Sequence, residues 1–146
     1  KGGHLYTTDW AVENVIKDAF PGAIASQGNR AHIPEMVLPI QATKAAATSP
    51  YMRGVLSVGA RTKWWLEQAS FDVIVVRESA VTTLITSKEL RNIYRKSPIV
   101  AATFPYGRGQ VLHVMGHYYQ EMGNLAGAIS AQRLALNFVL MRLEKD

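Results

Sequence analysis

PIVAATFPYGRGQVLHVMGHYY, residues 98–119, is the stretch whose reading decides the fold. It holds two apolar runs, Ile99–Phe104 and Val111–Met115, around Pro105-Tyr106-Gly107-Arg108-Gly109. Both runs are short, partly β-branched and bounded by Pro or Gly, which predicts two strands joined by a tight turn. The glycines supply positive φ in that turn. They do not make a phosphate loop, which needs G-x-x-x-x-G-K-[ST], nor a dinucleotide fingerprint, in which G-x-G-x-x-G leads from a strand into a helix. The second strand empties into Gly116-His117-Tyr118-Tyr119-Gln120-Glu121, a polar and aromatic loop where part of a site is expected.

Beyond that loop, Gly123-Asn124 opens a helix over 125–143. Ile129, Leu136, Leu140 and Leu143 share one face, with Leu134, Phe138 and Met141 adjacent, a wide apolar stripe that predicts packing on a sheet. Upstream, Ser87 caps a helix that continues through Glu89–Arg95 and ends at Ser97-Pro98. Residues 71–76 (FDVIVV) and 81–86 (VTTLIT) read as strands, and the short spacer Arg77-Glu78-Ser79-Ala80 suits antiparallel neighbours. Arg61–Ala69 reads as a short helix, with Trp64 and Trp65 about 100° apart as packing aromatics.

Thr43–Pro50 is small and polar, a candidate mobile loop ahead of the apolar cluster Tyr51–Leu56. Residues 32–42 carry Pro34 and Pro39, which suit an edge strand or an irregular crossing. Residues 23–30 read as a loop or weak strand. At the start, His4–Thr7 is a strand, Thr8 and Asp9 are N-cap residues, and Trp10–Phe20 is a helix stopped by Pro21-Gly22. The order β-α-β-α-β-β-α-β-β-α predicts one layered α/β sandwich over residues 1–146, partly parallel with an antiparallel part late in the chain. Sites in such sheets lie beyond the carboxyl ends of strands, here Thr7–Trp10 and Gly116–Glu121.

The chain has 146 residues, 48% of them hydrophobic and 18% charged, which fits one soluble domain with one core. No apolar run approaches the ~18 residues of a membrane span, and KGGHLYTTDW lacks the apolar region of a signal peptide. A cytoplasmic protein is expected. The chain begins with Lys and Gly-Gly rather than Met, and so reads as a processed product or the C-terminal portion of a larger domain. There is no cysteine, which excludes disulfides, thiolate metal sites and a Cys nucleophile. The net charge of +5 is spread along the chain, densest at Arg91, Arg95 and Lys96, where a helix end favours it anyway. No nucleic-acid motif accompanies it, which argues against nucleic acid as the partner.

Thr8 or Asp9 could act as a nucleophile at a strand-to-helix elbow, but no G-x-S-x-G surrounds them, and an N-cap explains them better. His117 at a strand end could act as a general base. His113 alternates within the strand and reads as packed. His4 and His32 belong to no metal-ligand spacing, so neither metal nor cofactor is expected.

Three segments resemble the class I glutamine amidotransferase-like superfamily, in its trehalose-utilisation-protein-like branch. Gly2-Gly3-His4-Leu5-Tyr6-Thr7-Thr8-Asp9-Trp10 resembles its glycine-pair, strand, elbow and helix unit. Ser49-Pro50-Tyr51-Met52-Arg53-Gly54-Val55 resembles the segment after its sheet crossing. Tyr106–His117 resembles its late hairpin. The resemblance implies a three-layer flavodoxin-like sandwich with a mostly parallel sheet and a late antiparallel hairpin, in a domain longer than this chain. Active members place Cys at the elbow, where this chain has Thr8 and Asp9, and His-x-Glu after the late strand, where His117 is followed by Tyr118 and Tyr119.

The expectation is therefore a non-catalytic domain that binds a small molecule, a carbohydrate by family analogy, or a protein partner. Thr8, Trp10, Tyr118 and Tyr119 would line its site, and a homo-oligomer is compatible with it. One alternative is a hydrolase or isomerase using His117 as base with Asp9 as its partner. The other is a basic module for an anionic partner.

Overall fold

The computed structural model describes residues 2–28, 33–56, 61–116 and 124–143. The chain opens with β1, His4–Thr8, turns sharply, and enters a π-helical turn, Val12–Ile16, that runs into α1, Lys17–Ala19. Short strands follow: β2, Ile24–Ala25; β3, Met36–Pro39; β4, Gln41–Ala42. Two 3-10 turns, Ala45–Thr48 and Pro50–Met52, lead to β5, Lys63–Leu66, then β6, Ile74–Val75, and β7, Thr82–Thr86. Next come α2, Lys88–Asn92; β8, Ile99–Tyr106; β9, Gly109–Val114; and α3, Leu125–Leu143.

The main sheet has five strands in the order β1-β9-β8-β7-β4. β8 is its centre, and its first six residues are all buried, as a strand covered on both faces requires. β8 and β9 form the hairpin, closed by the pair Tyr106↔Gly109. Gly107, at φ +57, occupies the first central position of the turn, where only glycine is unstrained.

The expected mostly parallel flavodoxin-like sheet is not formed. β1·β9 is parallel, while β9·β8, β8·β7 and β7·β4 are antiparallel, so the sheet is mixed. The cause lies in the connections. A parallel neighbour needs a crossover of a dozen or more residues, and β8 and β9 are joined by a turn of two residues, Gly107 and Arg108. β1 can run parallel to β9 because almost the whole chain lies between them.

Side chains alternate across this sheet. Phe104, Val111 and His113 share one face with Thr7, and Phe20 after α1 packs its ring against Phe104 at 6.1 Å. Leu112 shares the other face with His4, and Phe138 of α3 stacks on His4 at 4.7 Å. The core joins the sheet to α3 and to the small sheets β2·β6 and β3·β5 through Ile24, Leu38, Trp64, Leu66, Leu134 and Phe138, all buried.

Several local expectations are corrected. Arg61–Ala69 is no helix: β5 pairs antiparallel with β3, and its alternation buries Trp64 while leaving Trp65 half-exposed. The Trp64 indole donates to Ser130 Oγ on α3 at 3.2 Å. Residues 71–76 yield only β6, which pairs with β2 and not with β7. The Thr43–Pro50 segment is ordered by Thr43, whose hydroxyl donates to Thr83 O at 2.6 Å and accepts from Ala46 N at 3.1 Å. The first helix starts at Val12 without a side-chain cap, and Ser87 makes no cap bond to α2.

α3 has the bounds expected, opened by Asn124, whose Oδ1 accepts from Gly127 N at 3.2 Å. Of the expected stripe, Leu134 and Phe138 do pack on the fold, but the face is turned away from the Ile129, Leu136, Leu140 and Leu143 line. Gly127, Ser130, Ala131, Leu134 and Phe138 pack inward, and Ile129, Leu136, Leu140 and Leu143 are exposed. Small residues on the inward face let the helix approach β5 and β1 closely. No helix among the described residues is long and apolar enough to cross a membrane.

Candidate functional site

The junction Thr7–Trp10 ends β1 at the carboxyl edge of the sheet. Asp9 N donates to Val114 O at 2.9 Å, extending the parallel ladder by one rung. There the backbone turns at φ +40, a left-handed conformation that Asp tolerates better than most residues. The Asp9 side chain then points inward. It is 1% exposed, and Oδ1 accepts from Phe71 N at 3.2 Å. Asp9 is thus a clamp between the strand end and the segment before β6, and does not cap a helix. Thr8 is half-buried.

Trp10 lies outside this clamp with 53% of its surface exposed. Its Nε1 donates to Ala69 O at 3.2 Å, which fixes the indole edge and leaves the ring accessible. Ala69 itself sits at φ +64. Beside it is a groove of about 500 Å³ lined by Ile33, Pro34, Glu35, Gln68 and Ala69. Glu35 accepts a bond from the Trp65 indole at 3.1 Å on the same side. Ala69 therefore both holds Trp10 and lines this groove, whose walls also include a proline and two polar side chains.

Of the residues singled out from the sequence, the structure places Thr8, Asp9 and Trp10 together at one strand end. His117, Tyr118 and Tyr119 lie outside the described residues, as does His32, so the Asp9–His117 pair has no geometry to report. Gly116, after β9, approaches Trp65: a Cβ there would meet Trp65 O at 3.0 Å.

His113 is fully buried on the sheet face shared with Thr7. Thr7 Oγ1 donates to Leu112 O at 3.3 Å and stands 3.0 Å from His113 Nδ1. Burial pushes the imidazole pKa down to about 3, so the ring is neutral.

Sequence reasoning missed Asp72, which is completely buried and accepts from Gln27 N at 3.0 Å through Oδ1. The available signal was an acid inside an otherwise apolar run. A further groove of about 280 Å³ is lined by Gln41, Thr86, Ser87, Lys88, Arg91, Asn92 and Pro98 and contains no acid. Another, of about 380 Å³, lies at the opposite end of β1 from Asp9, between Gly2-Gly3 and the hairpin turn. Among the described residues, no three His, Cys, Asp or Glu side chains gather as a metal site would need.

No family model matches the chain. No curated protein matches it either. Among solved structures it is similar to the beta-galactosidase from Rahnella sp. R3, with 14% identity over 94% of this chain and a TM-score of 0.46. The chain spans 19% of the length of that protein. At that level the likeness shows neither a family nor an activity.

Proposed function

We propose that the chain is a non-catalytic binding domain whose contact surface is Trp10 with the adjoining groove at Ala69. The observation that carries this reading is the state of Trp10: its edge is held by the carbonyl of Ala69, a residue that also lines a groove, while half of its surface stays exposed. A fixed aromatic plane provides contact area at little cost in conformational freedom, and nearby polar groups orient what lies on it. The class of ligand that fits is a neutral small molecule with one apolar face and a polar rim, a description met by a sugar ring.

Asp9 supports the non-catalytic reading over the hydrolase or isomerase alternative. Its side chain is buried at the strand end with Oδ1 engaged by the Phe71 N–H, so it is out of reach of a substrate lying on the exposed surface. The test is a fluorescence titration with neutral mono- and disaccharides. A saturable change in tryptophan emission is expected for at least one sugar, abolished by Trp10→Ala and kept by Trp65→Phe. No saturable response to any of them, or one that survives Trp10→Ala, overturns the reading.

A further inference from the structure

α3 is apolar on both sides. The face opposite its packed side carries Leu125, Ile129, Leu136, Val139, Leu140 and Leu143, with exposures of 74, 55, 49, 52, 43 and 65%. Helices that are apolar all round are normally covered all round. The spacing of the outer residues is specific. Positions 125, 129, 132, 136, 139 and 143 advance by alternate steps of four and three, the seam of a left-handed coiled coil, occupied by Leu, Ile, Gln, Leu, Val and Leu. Gln132, exposed at the middle of the helix, is the polar member.

We propose that this seam is the interface between two copies of this chain, with α3 lying parallel to its own counterpart about a twofold axis. Three observations select a second copy. First, six half-exposed side chains offer roughly 600 Å² per copy, so a pair covers roughly 1,200 Å², the lower bound for a specific interface. Second, parallel pairing sets Gln132 against Gln132, so the one polar seam residue meets an amide and not a leucine. A matched polar layer fixes register and orientation in such pairs. Third, the flanking positions carry no charge pattern that would choose a different partner. They are Ala126, Ala128, Ala135 and Leu140, together with Arg133 and Arg142, and in a parallel pair Arg133 lies against Ala128 and faces no like charge.

The experiment uses the chain itself. Sedimentation equilibrium is expected to show a monomer–dimer equilibrium within about 10–300 μM, the affinity suited to so small an interface. Leu136→Glu is expected to weaken it by about a hundredfold, since a twofold pair feels the change twice. Because Leu136 is outside the core, the variant should keep the parental melting temperature when both are measured at concentrations where the parent is monomeric. The chain has no cysteine, so Val139→Cys reports orientation: it cross-links to itself under mild oxidation if the helices are parallel. A monomer throughout the concentration range overturns the proposal. So does a Val139→Cys chain that cross-links only when mixed with an Ile129→Cys chain, the signature of an antiparallel pair.

Discussion

Asp9 joins two segments 62 residues apart through one bond from Phe71 N to its carboxylate. Asp9→Ala removes the acceptor of a buried N–H and places Ala at φ +40, so a loss of about 1–3 kcal/mol is expected in urea unfolding. Asp9→Asn keeps both the acceptor and the tolerance for that backbone, and should lose much less. Equal losses in the two variants would remove the clamp as explanation. His113 makes a different statement. Its pKa is about 3 in the fold against 6.5 in an open chain. Between those values the unfolded state binds more protons, so stability falls as pH drops from 6.5 toward 3 and is fully present above 6.5. The expected slope is roughly 1.4 kcal/mol per pH unit within that window. His113→Leu should flatten it relative to the parent in unfolding curves at pH 7, 6 and 5. An unchanged slope would mean that other groups carry it. The sequence marks Asp9 as special and His113 as packed, because each stands out from its neighbours. It does not disclose Phe71 or Thr7 as their partners, because a hydrogen bond across 62 or 106 residues leaves no local trace.

At the scale of elements, the β8–β9 hairpin was legible because glycine and proline bound its runs and fix the turn. The same glycines now limit substitution. A Cβ at Gly109 would stand 2.7 Å from Gly3 O, the carbonyl that accepts from Gln110 N at 2.8 Å. Gly109→Ala should therefore push the start of β1 off the hairpin, at about 1–3 kcal/mol, and speed hydrogen exchange at the Gln110 amide. Unchanged exchange there would show that the strand accommodates the methyl. The Trp64-Trp65 segment misled because two adjacent bulky residues fit either period. Pairing with Met36–Pro39 decided for a strand. α3 misled in part for a related reason: a helix apolar on both sides presents two stripes, and the expected one mixed Leu134 and Phe138 of the packed side with Ile129, Leu136, Leu140 and Leu143 of the outer side. The smaller Gly127, Ser130 and Ala131 are the ones that permit close packing.

For the whole molecule, the strands were mostly legible and their directions were not. Alternating helices and strands suggest parallel crossovers, but β7 and β8 pair antiparallel across residues 87–98, a connection long enough for either direction, and nothing local in the sequence chooses between them. Thr8, Asp9 and Trp10 stand at the end of β1 because they follow one another in the chain, and that holds whether the sheet is parallel or mixed.

The parallel pairing of β1 with β9 also sets a timetable. β1 leaves the ribosome ahead of β9, and Thr7 finds its neighbour His113 only after more than a hundred further residues have been added. At roughly 5–20 residues per second, that is a wait on the order of 5–20 seconds. During it the antiparallel neighbours β7 and β8 can pair, while the opening strand stays without its partner. The final closure of the sheet is therefore its longest-range event, and newly made chains spend that interval as a partial sheet waiting for the hairpin that β1 must join.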